Sequence, residues 1–247
     1  MKFRLLSDLH LEFRKESVHK IIKKVKEFNV QTPVDYLILA GDITNFKNIS
    51  LLENFIKSVY DNYKKVFYIL GNHEYYGSTK DINAMNVYRN TINTLNEKCN
   101  DSIVLLENEK YDITENFSIF GSTLWTDMSL DDYRSINDRN IFRLDEITGA
   151  HIIAKNALRQ LPASREYLII THHMPSISLV HKKYAHYGFS GFASDCEDTF
   201  SDNMIYWCYG HTHMPGKSVI KGINFISNPM GYPGENPEYN DCTFEIN

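Results

Sequence analysis

Cysteine is scarce and unpatterned in this chain. The four residues, Cys99, Cys196, Cys208 and Cys242, show no Cys-x-x-Cys spacing. Their density is far below that of a secreted disulfide scaffold, so the expectation is four reduced thiols, mostly buried, in a reducing compartment. Long hydrophobic runs are missing as well. No stretch approaches the roughly 20 apolar residues that cross a bilayer. The opening Met1–Asp8 has neither an apolar signal core nor a small-residue cleavage site, and the expectation is a cytoplasmic protein without a membrane partner. An excess of positive charge is also lacking: 26 Lys and Arg stand against 31 Asp and Glu, a formal net charge of -5. That balance excludes a non-specific nucleic-acid surface. It leaves a nucleotide substrate open, because bound metal ions outweigh a mildly acidic surface locally. Internal repeats, low-complexity tracts and linkers are absent too, and 247 residues with 43% hydrophobic content suit one α/β domain spanning 1–247.

What is present alternates between buried runs and amphipathic stretches. Phe3 to Leu6, Tyr36 to Ala40 and Val66 to Leu70 are short apolar runs of strand length. Between them, Val18, Ile21, Ile22 and Val25 recur at helical spacing behind Ser17, which predicts an N-cap there. Leu52, Phe55, Ile56 and Val59 do the same behind Ser50. Strand, helix, strand, helix, strand indicates parallel βαβ units with right-handed crossovers. Further on, the pattern predicts a helix over Thr79–Leu95, strands near Ile103–Leu106 and Phe117–Gly121, and a helix over Ile147–Leu161. Strands follow at Tyr167–Ile170 and Ile205–Tyr209, then a hairpin through Val219-Ile220 and Phe225–Ser227, and an edge strand at Cys242–Ile246. Two polar, aromatic segments, Trp125–Arg143 and Ile177–Cys196, interrupt this order as insertions.

The chemistry sits where the buried runs stop. Ser7-Asp8-Leu9-His10, Gly41-Asp42, Gly71-Asn72-His73-Glu74, Thr171-His172-His173 and Gly210-His211-Thr212-His213 each follow a candidate strand. Ligands in parallel sheets collect outside the carboxyl ends of strands. Residues two apart in a strand share a face, so Asp8 can converge with His10, and His211 with His213. Each aspartate alone could be a helix cap and Asn72 a turn residue. Carboxylate, imidazole and amide oxygen together make the mixed donor set favoured by Mn, Fe or Zn. Two such ions about 3.5–4 Å apart clamp the attacking and leaving oxygens of a displacement at phosphorus.

The order of these five segments resembles the calcineurin-like metallophosphoesterase family, and the resemblance spans nearly the whole chain. It implies a four-layer αββα sandwich with two mixed β-sheets. It also implies two divalent or trivalent transition-metal ions. Asp8, His10 and His213 would hold the first, Asp42 would bridge both, and Asn72, His172 and His211 would hold the second. His73 would sit over the phosphate as the catalytic residue, with a metal-bridging hydroxide attacking in line. His172 is preferred to His173 as the ligand because it leaves the strand first. His173 is then left to contact substrate or support the ligands.

The chain departs from the protein Ser/Thr phosphatase branch of that family. That branch carries an aspartate three residues beyond the bridging one, followed by Arg-Gly, whereas Gly41-Asp42-Ile43-Thr44-Asn45-Phe46 has neither. His73 thereby lacks its expected ionised partner, and the pattern is closer to small bacterial or phage-type phosphohydrolases. The expected function is hydrolysis of small phosphoesters, diester or monoester, with a nucleotide-type diester slightly favoured. Asn45, Tyr75 and His173 are candidate substrate contacts, with Trp125, Tyr76, His181 and His186 as further candidates in the pocket walls. A non-catalytic metal-bound scaffold and a nuclease are the alternatives. The complete donor set argues against the first, and the acidic balance against the second.

Overall fold

The computed structural model describes residues 1–14, 17–76, 81–82, 85–184 and 188–247. Its first half is a five-stranded sheet. Strands β1 (Lys2–Leu6), β2 (Tyr36–Ala40), β3 (Lys65–Ile69) and β4 (Ile103–Leu105) run parallel in that order, and β11 (Thr243–Glu245) pairs antiparallel with the outer edge of β1. The second sheet has six strands in the order β5 (Glu109–Asp112), β6 (Phe117–Ser122), β7 (Glu166–Thr171), β8 (Met204–Tyr209), β10 (Ile223–Ser227) and β9 (Gly216–Ile220). Its centre, β6 to β10, is parallel, and the two outer strands pair antiparallel.

Side-chain alternation sorts the layers. In β2, Leu37 and Leu39 pack toward helices α1 (Val18–Gln31), α2 (Ile49–Val59) and α4 (Met85–Glu97), while Ile38 and Ala40 face the other sheet. In β7, Leu168 and Ile170 meet them across the interior, and Tyr167 and Ile169 turn outward against Ala154 and Leu158 of α6 (Leu144–Arg159). Both faces of each sheet are therefore covered, which is why the central strands read as continuous apolar runs. The result is the expected helix, sheet, sheet, helix sandwich.

Several local expectations change. Ser17 occupies the N-cap position of α1 but makes no capping bond, since its hydroxyl donates back to Arg14 O at 3.2 Å. Helix α2 starts at Ile49 behind Asn48. The helix expected from Thr79 is seen from Met85, and 77–80 and 83–84 lie outside the described residues. All four cysteines are buried and free.

Candidate metal centre

The strand exits carry the site, but not through strand geometry. Strand β1 ends at Leu6, and Asp8 and His10 beyond it take left-handed φ values of 52° and 44°. Their amides donate to Gly41 O and Asp42 O, both at 3.0 Å. Asp8 and His10 thus converge because the chain curls against the β2 exit, which corrects the alternation argument. Asp42, His211 and His213 are also left-handed, at 54°, 69° and 50°. Non-glycine residues rarely stay in that region unless the surroundings over-determine them, and such residues cluster at functional sites. Two motif glycines allow the crowding. A Cβ on Gly41 would lie 2.3 Å from His172 Nδ1, and one on Gly71 would lie 2.2 Å from Asp42 Oδ1.

Three groups of donor atoms result, each within 4.8 Å internally: Asp8, His10, Asp42 and His213 form one, Asp42, His172 and His211 another, and His10, Glu12 and His73 a third that does not include Asp42. In the first, His10 Nε2 and His213 Nε2 are 2.9 Å apart, with Asp42 Oδ2 3.7 Å from His10 and Asp8 Oδ1 3.5 Å from His213. In the second, His172 Nε2 lies 3.2 Å from His211 Nδ1, 3.1 Å from Asn72 Oδ1 and 3.4 Å from Asp42 Oδ1. Asp42 belongs to both of these clusters.

The opposite ring nitrogens are already spoken for. His172 Nδ1 donates to Ala40 O at 3.0 Å, His213 Nδ1 to Glu235 Oε2 at 2.6 Å, and His211 Nε2 to Gly191 O at 3.3 Å. Each bond fixes a tautomer that leaves the inward nitrogen with a lone pair, the arrangement typical of metal-bound histidine. Burial pushes the His172 pKa down, yet Asp42 beside it raises it to about 10. Burial likewise would raise Asp42, but the imidazoles of His172, His73 and His10 hold it well below the usual carboxylate range. The site thus demands positive charge, and the donor set fits a pair of transition-metal ions.

Surrounding groups hold this geometry. Glu74 accepts from the amides of Asp42, Ile43 and Gly71 at 2.9, 2.7 and 2.7 Å and from Tyr68 OH at 2.8 Å, so it ties the β3 exit to the β2 exit. Asp138 accepts from Asn72 Nδ2 at 3.1 Å and from the Tyr76 hydroxyl. His211 N donates to Asp8 Oδ1 at 2.9 Å, joining the two sheets. His73 Nδ1 donates to Glu12 Oε1 at 2.8 Å, and His73 Nε2 lies 3.2 Å from Tyr232 OH. Burial alone would lower the pKa of His73, but Asp42 and Glu12 override it and push it up to about 9. Glu12 supplies the carboxylate partner that Asn45 does not. It stands two residues beyond His10, so an Asp-x-His-x-Glu run was its only signal in the sequence. Asp138 lay unmarked inside the Trp125–Arg143 insertion, and Tyr232 and Glu235 inside the tail.

A cavity of about 320 Å³ opens over Asp42, Asn72, His73, His211 and His213. Both insertions supply its wall, through Ser135 to Asp138 and through Val180, His181, Tyr184, Phe189 and Phe192, and Tyr76, Met174 and Tyr232 line it as well. Three expected substrate contacts lie elsewhere. Tyr75 is a core residue packed on Tyr88, Trp125 and Phe142. His173 is fully buried, stacks on Trp125 and donates from Nδ1 to Thr123 O at 3.1 Å. Burial, joined by the neighbouring His172, outweighs the bond to Thr123 and lowers the pKa of His173 to about 3. Asn45 accepts from Asn48 Nδ2 at 2.8 Å and does not line the cavity. Trp125 is likewise core, and His186 lies outside the described residues. The reason is common to Tyr75 and Trp125: aromatic rings near a motif fill the layer beneath the site as readily as the wall above it.

The chain belongs to the calcineurin-like phosphoesterase family, whose model matches residues 1–215. That membership and the donor clusters make it a metal-dependent phosphoester hydrolase in broad class. Among individual proteins it is similar to the uncharacterized protein L509 of Acanthamoeba polyphaga mimivirus, 29% identical over 271 residues that cover 98% of this chain and 95% of the relative. In fold it is similar to a phosphopantetheinyl hydrolase from Mycobacterium tuberculosis, with a TM-score of 0.67 at 18% identity over 100% of this chain and 96% of that one. A dimetal phosphatase from Danio rerio matches with a TM-score of 0.52 at 12% identity, covering 98% and 91%.

Proposed function

We propose that this protein hydrolyses small soluble phosphoesters at a two-ion centre built on the bridging carboxylate of Asp42. One observation carries the reading: Asp42 is shared by two donor clusters in which His172, His211 and His213 have their outward ring nitrogens bonded to fixed partners. Asp8, His10 and His213 would hold one ion, and Asn72, His172 and His211 the other. When bound, Mn, Fe or Zn ions would supply Lewis acidity and a nucleophilic water at neutral pH.

The residues around the ions do the rest. Asp138 turns the oxygen of Asn72 inward. His73 lines the cavity without belonging to either Asp42 cluster. Held by Glu12 through Nδ1, it presents Nε2 toward the substrate space, where it would stabilise or protonate the leaving oxygen. A nuclease is less well supported, because among the described residues no Lys or Arg lines the cavity. Arg134 and Arg143 instead pair locally with Asp131 and Asp145.

Elemental analysis beside turnover separates the roles. Asp42→Ala should lose metal and activity together. His73→Ala should keep its metals while kcat falls roughly 10²–10⁴-fold, the usual range for a positioned acid or base. Loss of metal from His73→Ala would overturn its assignment as a non-ligand.

A further inference from the structure

The cavity wall differs from the metal centre beneath it, and that difference bears on what the substrate carries besides its phosphate. On one side stand Ile136, Met174, Val180, Phe189 and Phe192. The Phe192 ring lies 5.2 Å from the His211 ring, so this apolar wall begins directly beside the donor atoms. Across from it, the Tyr76 ring lies 4.6 Å from that of His73. A group attached to a phosphorus at the centre would therefore run between aromatic and aliphatic faces. The polar groups along it are neutral or acidic. Asn137, Ser135 and Thr212 offer uncharged contacts, while Asp138 and Glu235 add carboxyl groups to that of Asp42.

Recognition of a second phosphate ordinarily uses guanidinium or ammonium groups aimed at its oxygens. The chain has 26 Lys and Arg. None of those described lines the cavity, and the nitrogen bases among its described lining residues are imidazoles. A polyphosphate tail running along this wall would meet carboxyl groups and hydrocarbon there. An uncompensated charge in such surroundings is strongly disfavoured.

We propose that the cavity selects a phosphoester bearing an uncharged, largely apolar arm, in preference to polyphosphates. This rests on the phosphoesterase reading and adds the substrate class to it. The reaction is hydrolysis of one P–O ester bond: water adds its oxygen to phosphorus, and the leaving alcohol takes up a proton. The apolar arm stays on either the phosphate or the alcohol.

Two measurements on the metal-loaded protein test it. The first compares kcat/KM for phenyl p-nitrophenyl phosphate, p-nitrophenyl phosphate and ATP at pH 8, where the monoester is fully dianionic. The better of the two aryl esters should exceed ATP at least tenfold. Equal or better use of ATP would overturn the proposal. The second follows calorimetric binding of monoalkyl methylphosphonates, from ethyl to hexyl, which are unreactive monoanionic diester mimics. Affinity should rise about three- to fourfold for each buried methylene. A flat series would overturn the proposal whatever the turnover. A rising series with no hydrolysis of any ester would sink the phosphoesterase reading while leaving the ligand class standing. Val180→Lys should flatten the series and strengthen pyrophosphate binding. If it does neither, the Val180 wall is not where the arm lies, and the proposal fails.

Discussion

Asn72 carries an amide whose oxygen can bind a metal and whose nitrogen cannot, so its orientation decides whether it is a ligand at all. Asp138 decides that orientation. Its carboxyl accepts from Asn72 Nδ2 and from Tyr76 OH, which leaves Oδ1 facing His172. Asp138 is itself buried, so removing it would leave the amide nitrogen held by Tyr76 OH alone, at 2.8 Å, and leave Tyr76 without its acceptor. Asp138→Ala should lower affinity for the ion held by Asn72, His172 and His211 by roughly 10–100-fold, the usual effect of losing an outer partner of a ligand. The ion at Asp8, His10 and His213 should bind almost as before. Competition with a chelator of known affinity, read as two separate dissociation constants, measures both. Equal weakening at the two sites would show that Asp138 supports the fold at large rather than one ligand.

At the scale of elements, what was legible depended on burial. Strand β2 was read at its observed bounds because Tyr36–Ala40 is an unbroken apolar run in the middle of a sheet. Strand β5, Glu109–Asp112, left no such trace, since an outer strand with mostly exposed side chains looks like a loop. The donor residues were legible because five strand exits repeat the same residue types. The way they converge was not, because left-handed turns at Asp8, His10 and Asp42 answer to neighbouring backbone rather than to local sequence. Helix α6 shows a further case. His151, inside the helix expected over Ile147–Leu161, is buried and donates from Nδ1 to Leu124 O at 3.0 Å, pinning the helix to the segment after β6. Burial is the larger influence on it and lowers its pKa in the folded protein, the bond to Leu124 opposing only in part. Below about pH 6.5 the unfolded chain therefore takes up a proton that the folded chain refuses, so stability falls as pH falls. The slope from this one group is at most about 1.4 kcal/mol per pH unit. Urea unfolding at pH 7.5 and 5.5 should show wild type losing more stability than His151→Gln, by at most about 1.4 kcal/mol over that interval. Parallel losses in the two proteins would contradict the assignment.

For the molecule as a whole, the centre is a joint between the two sheets. Asp8, Asp42 and Asn72 come from the exits of β1, β2 and β3, while His172, His211 and His213 come from those of β7 and β8. Direct bonds across the joint are polar and include His211 N to Asp8, His172 Nδ1 to Ala40 O, Thr123 Oγ1 to Leu70 O and Asn228 Nδ2 to Leu5 O, the last two at 2.9 Å, with Met230 N donating to Ser7 O at 3.0 Å. Away from it, the sheets are held by the apolar layer of Phe3, Leu5, Ile38, Leu168 and Ile170. That layer should keep the metal-free protein folded. Without cations, however, the buried carboxylates of Asp8 and Asp42 would face each other's cluster with only imidazoles to balance them. An ion that binds the folded chain and not the unfolded one stabilises it by about 4 kcal/mol when its free concentration is a thousand times its dissociation constant. Chelator treatment should accordingly lower the unfolding temperature by several degrees without loss of secondary structure. Restoring Mn²⁺ or Zn²⁺ should recover it in a concentration-dependent way, about 1.4 kcal/mol for each tenfold rise above the dissociation constant. In Asp42→Ala the metal-dependent increment should vanish, because neither ion keeps its shared anion. An unfolding temperature indifferent to chelator in wild type would mean that the joint is held by protein contacts alone, and the two-ion reading of the site would have to be abandoned.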